Sequence, residues 1–81
     1  MINVLFFAQV RELVDCDKLQ LDATFNDVEQ LREQLAAKSD RWALALEPGK
    51  LLAAVNQTLV SFDHKLADGD EVAFFPPVTG G

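Results

Sequence analysis

The stretch Asp68-Gly69-Asp70-Glu71-Val72-Ala73-Phe74-Phe75-Pro76-Pro77 decides the fold of this chain. Its Asp-Gly pair is typical of a turn, and residues 71–75, which are apolar from Val72 onward, have the composition of a strand. Neither Pro76 nor Pro77 can donate a hydrogen bond to a neighbouring strand, so the strand must end there. The sequence therefore predicts a last strand with an abrupt exit.

The clearest helix lies upstream, in the middle of the chain. Asn26 and Asp27 are both good N-cap residues, and each has Glu or Gln three positions later, the spacing of a capping box. Apolar residues then recur at helical spacing, at Val28, Leu31 and Leu35. The polar residues between them are expected to face solvent: Glu29, Arg32 and Glu33. Ser39 can cap a second short helix over residues 40–46.

The remaining segments read as strands around this helix. Residues 2–9 are apolar on both alternating faces, which is typical of a central strand, and one helical turn is predicted at residues 10–14. Residues 18–22 alternate as a half-buried strand, and residues 51–62 suit a tight hairpin or an adjacent strand pair. This order predicts an α+β protein of the β-grasp layout. Its mixed sheet has four to five strands, with both terminal strands near the centre, packed on one main helix plus short helices.

Composition excludes several classes of function. The chain has 81 residues, 13 acidic and 7 basic, for a net charge of −6, which argues against binding to nucleic acid. A single cysteine can form neither an internal disulfide nor a Cys-rich zinc site. The N-terminal apolar run follows no basic residues and is far shorter than the roughly 18 residues of a membrane span. We expect a cytoplasmic protein with one domain at residues 1–75, followed by a flexible tail at residues 76–81.

Few side chains suggest chemistry of their own. Cys16 is flanked by two aspartates, whose charge disfavours its thiolate, and it reads as an ordinary turn residue. His64 lies in a polar loop and is expected at the surface. Asp68, Asp70 and Glu71 lack the spacing of a Ca²⁺ loop and fit a turn better. No phosphate-binding or dinucleotide fingerprint is present, so we expect no bound cofactor and no bound metal.

The tail is the remaining feature. Six residues follow Phe75, enough to extend about 20 Å. Gly80 and Gly81 have no side chains, so the end of the chain could enter a channel too narrow for other residues. A frayed terminus is the alternative reading of the same residues.

The residues from Asp68 to the terminal Val78-Thr79-Gly80-Gly81 resemble the C-terminus of the sulfur-carrier subunits of molybdopterin synthase. The opening Val4-Leu5-Phe6-Phe7-Ala8-Gln9-Val10-Arg11-Glu12-Leu13 resembles the same family, as does Leu52-Ala53-Ala54-Val55-Asn56-Gln57 together with Ser61-Phe62-Asp63-His64. The resemblance covers nearly the whole chain. It implies a ubiquitin-like fold.

The resemblance also implies a reaction and partners. A separate ATP-dependent adenylating enzyme of the ubiquitin-activating type would activate the carboxylate of Gly81, which then becomes a thiocarboxylate (a C-terminal 1-thioglycine). Gly80 would help thread the tail into the large catalytic subunit of molybdopterin synthase. There, two sulfurs would be delivered in turn to cyclic pyranopterin monophosphate, forming the molybdopterin dithiolene of the molybdenum cofactor. The complex would be a heterotetramer, and the carrier would not be catalytic alone.

A carrier of this kind needs a docking surface. If Val72 and Phe74 point to the core, side-chain alternation points Phe75 away, and the same logic points Phe7 and Leu59 outward. We predict that these three form an interaction patch, with Arg11 beside it. The alternative for the three apolar residues is that they complete the core. The alternative for Arg11 is a solvated position at the surface. The tail residues complete the predicted partner-binding set: Pro76, Pro77, Val78 and Thr79.

Three other functions remain open at this point. The chain could carry sulfur for another pathway, such as thiamin thiazole synthesis. It could be a ubiquitin-like modifier joined to lysines through Gly81. It could also be a plain interaction domain whose tail has no covalent chemistry.

Overall fold

A computed structural model describes residues 1–77 of the chain. The predicted tail residues Val78, Thr79, Gly80 and Gly81 lie outside the described part. The elements in chain order are β1 (Ile2–Phe6), α1 (Ala8–Val14), β2 (Lys18–Leu21), α2 (Val28–Ala36), α3 (Asp40–Ala45), β3 (Leu52–Val55), β4 (Thr58–Val60) and β5 (Glu71–Phe75).

The five strands form one mixed sheet in the order β2-β1-β5-β3-β4. β1 and β5 run parallel, with Val4 opposite Val72, and every other neighbouring pair is antiparallel. The two terminal strands are therefore interior strands of the sheet, as predicted. This α+β arrangement confirms the predicted β-grasp layout, with five strands.

The core lies between one face of the sheet and the helices. Alternate residues of the central strands are fully buried, among them Phe6 and Phe74, whose rings stack at 6.2 Å. Trp42 of α3 meets Phe6 edge-on at 5.4 Å. The helical side contributes Val28, Leu31 and Leu35 of α2, all buried at the spacing read from the sequence. No helix within residues 1–77 is both long and apolar enough to cross a membrane.

The predicted first strand is too long. β1 ends at Phe6, because Ala8 has a φ of +52°, in the left-handed region that a strand cannot contain. The helix α1 therefore begins at Ala8 and has two turns where one was predicted. Ala8 is exposed instead of lying with the buried set of the strand. The turn from β1 into α1 thus occurs directly after Phe7.

The predicted exposure of Arg32 is wrong. Its side chain is only 7% exposed. Nε and Nη2 donate to the two carboxylate oxygens of Glu29, both at 2.7 Å, and Nη1 donates to the carbonyl of Leu46 at 3.0 Å. These bonds lower the pKa of Glu29 and raise the pKa of Arg32, so the pair stays ionised. Arg32 thereby joins α2 to the end of α3.

The N-terminus of α2 follows the predicted capping pattern. Asp27 is the N-cap and accepts a hydrogen bond from the backbone N–H of Gln30 at 2.9 Å. The side chain of Gln30 accepts in return from the N–H of Asn26 at 2.9 Å. The first two N–H groups of the helix, those of Val28 and Glu29, donate to the carbonyls of His64 and Phe62 at 3.1 and 2.9 Å. The loop before β5 is therefore fixed to this helix end.

Replacement of Gln57 by glycine is expected to stabilise the domain by about 0.5–1 kcal/mol. Asn56 and Gln57 join β3 to β4 with φ values of +51° and +70°. This is the two-residue hairpin turn that favours Asn followed by Gly, because a side chain in the left-handed region costs about 1–2 kcal/mol. Urea unfolding measures the change. Gln34→Gly in the right-handed helix α2 is the control and is expected to destabilise by about 1 kcal/mol; equal losses in both variants would contradict the prediction.

Candidate functional site

The sheet presents one face that the helices do not cover, here called the outer face. It carries the residues that alternate with the buried ones. Of its six apolar residues, five are half-buried and Leu59 is 63% exposed. The apolar members are Leu5, Leu52, Ala54, Leu59, Ala73 and Phe75. An apolar surface of this kind on a small domain is typical of an interaction site.

Strand register joins these residues into a continuous surface. Leu5 lies opposite Ala73, Ala73 opposite Ala54, and Ala54 opposite Leu59, so one row crosses four strands. A second row, one pair further along, places Leu52 opposite Phe75. In the antiparallel pairs, residues directly opposite have their Cβ atoms about 4.5–5.5 Å apart, so these side chains are immediate neighbours on the face. Leu59 and Phe75, both predicted partner contacts, thus share this face.

Phe7 extends the same face at the end where the chain leaves the sheet. Its backbone N–H donates to the carbonyl of Phe74 at 3.1 Å, which continues the β1–β5 pairing by one residue. Because Phe7 is still extended, its side chain points opposite to Phe6 and is 45% exposed. Pro76 is half-buried and Pro77 exposed. Phe7, Phe75 and Pro76 together surround the point where the tail begins, here called the tail exit.

The predicted orientations of Phe7, Phe75 and Leu59 are confirmed: all three point away from the core. Arg11 is exposed on α1, where its backbone N–H donates to the carbonyl of Phe7 at 3.3 Å. Its side chain lines a shallow depression with the acidic turn that follows the helix, formed with Glu12, Asp15, Cys16 and Asp17. The structure therefore brings the three apolar residues onto one face and groups Arg11 with the acidic turn.

The polar residues considered as chemical sites serve local structure. The thiol of Cys16 donates to the carbonyl of Lys18 at 3.2 Å. Asp70 accepts from the side chain of Asn56 at 3.0 Å and from the N–H of Ala67 at 2.8 Å, which closes the loop before β5. Asp68 contacts the N-terminal ammonium group, which lowers the pKa of that carboxyl. Within residues 1–77, His, Cys, Asp and Glu form no group of three that could hold a metal ion.

A groove between α1 and α3 was not anticipated from the sequence. It has a volume of about 360 Å³ and reaches Pro76 at the tail exit. Leu44 of α3 lines it and is 60% exposed. The sequence contained one signal for this groove. Helical periodicity places Leu44 on the solvent side when its neighbours Trp42, Ala45 and Leu46 point inward.

Comparisons with known proteins agree with this geometry. A model of the ThiS family matches residues 4–81. The molybdopterin synthase sulfur carrier subunit of Escherichia coli (strain K12) is 76% identical over 81 residues, with all of both chains covered. The protein of the same name from Haemophilus influenzae is 60% identical over 81 residues, again with all of both chains covered.

Solved structures give the same fold. A protein-protein complex of subunits 1 and 2 of the molybdopterin-converting factor from Helicobacter pylori 26695 contains a chain with 30% identity and a TM-score of 0.68, covering 99% of this chain and 97% of that one. Small archaeal modifier protein 1 from Methanosarcina acetivorans, at 23% identity, has a TM-score of 0.81 and covers 99% of this chain and 95% of its own. The latter likeness concerns the fold alone. By its match to the family model and its full-length identity to these relatives, the chain belongs to the ThiS family, among the sulfur carrier subunits of molybdopterin synthase.

Proposed function

We propose that this chain carries sulfur on the carboxyl group of Gly81 and delivers it, inside the large subunit of molybdopterin synthase, to cyclic pyranopterin monophosphate. The product is the dithiolene of molybdopterin. The observation that carries the proposal is the 76% identity, over the full length of both chains, to a sulfur carrier subunit of this synthase.

The structure of the domain fits a carrier that lacks a substrate site of its own. An apolar surface is spread over the open outer face, and Asp70, before β5, is engaged in closing a loop. The net charge of −6 disfavours binding of anions such as ATP and a pterin phosphate. Both are therefore expected to bind on the partner proteins.

The structure around the tail exit supports delivery of sulfur through the tail into a partner protein. β5 pairs with β1 on one side and β3 on the other, so the strand that leads to the tail is held from both sides. Pro76 and Pro77 then prevent further pairing and favour an extended path. The tail thus begins from a rigid base that is bordered by Phe7 and Phe75. A partner that covers these two rings would receive the tail directly.

The reaction follows from the chemistry of a carboxylate. An α-carboxyl has a pKa of roughly 3.5 and is ionised at neutral pH, which makes it a poor electrophile. Attack of its oxygen on the α-phosphate of ATP releases pyrophosphate and gives an acyl-adenylate. A donor sulfur at the oxidation level of sulfide then attacks the acyl carbon and AMP leaves, so a C–S bond replaces a C–O bond. The thiocarboxylate sulfur is the nucleophile towards the pterin.

Two partners follow from this proposal. The Helicobacter pylori structure, a complex of subunits 1 and 2 of the molybdopterin-converting factor, supports a large subunit as the partner of this chain. We propose that two carriers and two large subunits assemble as a heterotetramer. An adenylating enzyme of the ubiquitin-activating type is the second partner, because activation requires an ATP site on another protein. The contacts proposed for these partners are Phe7, Arg11, Leu59, Phe75, Pro76 and Pro77, followed by Val78 and Thr79.

Incubation of the protein with its adenylating enzyme, ATP and a sulfur donor is expected to raise its intact mass by the replacement of one oxygen by sulfur. The reason is that the thiocarboxylate is the stable product of the activated carboxyl in the absence of the large subunit. Intact-mass spectrometry, followed by fragmentation to locate the sulfur at Gly81, measures this result.

The same reaction without ATP is the control and is expected to leave the mass unchanged. The sulfur-loaded protein is then mixed with the large subunit and the pterin substrate. Formation of the dithiolene supports the proposal. Transfer to a thiazole precursor instead would assign the chain to the other carrier pathway, and lysine-linked conjugates without a sulfur-loaded form would make it a modifier; either result would overturn the proposal.

A further inference from the structure

The α1–α3 groove has the character of a binding site for an apolar side chain. Its apolar lining comes from both helices and from the first residue of the tail; these residues are Val10, Leu13, Leu44, Ala45 and Pro76. Its polar rim carries one acidic group, Glu47, and one basic group, Lys50. Leu44 is 60% exposed, as prominent as Leu59 on the outer face. Two exposed leucines thus mark surfaces on either side of Pro76.

We propose that this groove receives an aliphatic or aromatic side chain of the large subunit, so that the partner holds the domain on both sides of the tail exit. The inference rests on the proposed function, which makes the large subunit the protein that takes up the tail. It adds a second contact surface, on the helical side, to the outer face of the sheet.

The length of the tail limits where the large subunit lies. Gly81 is five residues beyond Pro76 (81 − 76), and five extended residues span at most about 17–18 Å. The site that receives Gly81 is therefore within this distance of Pro76. Because the reacting end must also be screened from water, the body of the partner has to close around the tail exit.

An interface of standard size around Pro76 is large enough to include the groove. A standard interface buries about 800 Å² on each partner, which as a disc has a radius of about 16 Å. The domain measures 34 × 28 × 19 Å. The outer face is smaller than this disc, because five strands about 4.8 Å apart and at most five residues long cover roughly 24 × 17 Å, so a disc centred on Pro76 extends beyond it. Since Pro76 itself lines the groove, the contact area extends over Leu44.

The chemistry of the groove defines what fills it. Only an apolar side chain binds favourably on the apolar floor of the groove, since a polar group placed there would lose its hydrogen bonds to water. The opposite charges of Glu47 and Lys50 suit the polar backbone around such a side chain and repel neither sign of charge strongly. A second copy of this chain is the competing occupant. It is disfavoured because a copy seated at Pro76 would obstruct the tail.

Replacement of Leu44 by alanine is expected to weaken binding to the purified large subunit about tenfold, the loss that follows when most of a leucine side chain is no longer buried. Titration calorimetry with the full-length chain measures the affinity. The fold should survive, because Leu44 is mostly exposed in the free domain, and an unchanged urea midpoint verifies this. Leu44→Met, which restores the volume and apolar character, is expected to bind within about threefold of the wild-type chain.

Gln34→Ala is the matched control, because Gln34 is exposed on α2 and does not line this groove. Wild-type affinity for Leu44→Ala, with normal binding by Gln34→Ala, would overturn the inference and leave the proposed function standing. Failure of the wild-type chain to bind the large subunit at all would instead refute the proposed function. If the wild-type chain self-associates in sedimentation runs and Leu44→Ala abolishes only that association, the groove belongs to a second copy and the inference is wrong.

Discussion

Deletion of Gly81 is expected to abolish sulfur delivery, with a loss of at least about 100-fold in the rate of dithiolene formation. The deletion moves the reacting carboxyl back by one residue, a shift of about 3.3–3.6 Å. A misplacement of only 1 Å at a reacting centre can cost about 100-fold in rate. The measurement is a single-turnover assay with chemically sulfur-loaded carrier, so that activation by the adenylating enzyme does not limit the result.

The same deletion should leave the folded domain unchanged. The buried residues identified in residues 1–77 end at Phe74, and the sheet ends at Phe75, well before Gly81. The urea midpoint of the truncated chain is therefore expected to match that of the wild-type chain. Gly81→Ala keeps the length of the tail but adds a methyl group, and it is expected to lose less activity than the deletion. Full activity in the deleted chain would contradict the prediction, because it would show that delivery does not depend on the position that Gly81 gives to the sulfur.

Much of the fold could be predicted because its signals are local. The apolar residues on both faces of the first strand indicated an interior position, and β1 lies between β2 and β5. The prolines at 76 and 77 fixed the end of β5, since a residue without an N–H cannot continue the ladder. The capping-box spacing marked Asn26 and Asp27 as candidate helix caps, and Asp27 is the N-cap. These features depend on neighbours along the chain, which the sequence displays directly.

Arg32 shows why other features could not be predicted. Arg32 occupies a position of α2 at which the periodic pattern predicts a polar, solvent-facing residue, so the sequence indicated that its side chain is exposed. The carbonyl of Leu46, which accepts one of its hydrogen bonds at 3.0 Å, is 14 residues away along the chain. Its hydrogen bonds and charge pairing with Glu29 then offset part of the cost of burying the guanidinium. A contact of this kind depends on how two helices meet, and no local pattern contains that information.

The candidate site, like the fold, was predicted from the sequence only in part. Strand alternation predicted that Phe7, Leu59 and Phe75 point outward, and they do. Their assembly on one continuous face depends on register across four strands, which only the structure provides. The α1–α3 groove requires Leu13 and Leu44 to meet across two helices that are far apart in sequence. The groove between two helices was therefore missed, whereas the outward positions of residues along each strand were found.

The outer face gives the second large expected effect. Leu59→Arg is expected to weaken binding to the large subunit about 100-fold or more. Leu59 lies at the end of the row Leu5–Ala73–Ala54–Leu59, so a partner seated on this face would bury the new guanidinium against apolar surface without an ionic partner. Loss of the leucine contact adds about 1.5–3 kcal/mol to that cost. Titration calorimetry at fixed salt gives the affinity.

Thr58→Arg separates this effect from a general change in charge. Thr58 is the neighbouring residue of β4, is also exposed, and pairs with Val55, so its side chain points to the opposite side of the sheet. Both variants change the net charge from −6 to −5, and neither removes a buried side chain, so both are expected to keep the wild-type urea midpoint. We expect Thr58→Arg to bind within about threefold of the wild-type chain. If the two variants bind equally well, the large subunit docks elsewhere than on the outer face, and the tail must be reached from the helical side alone.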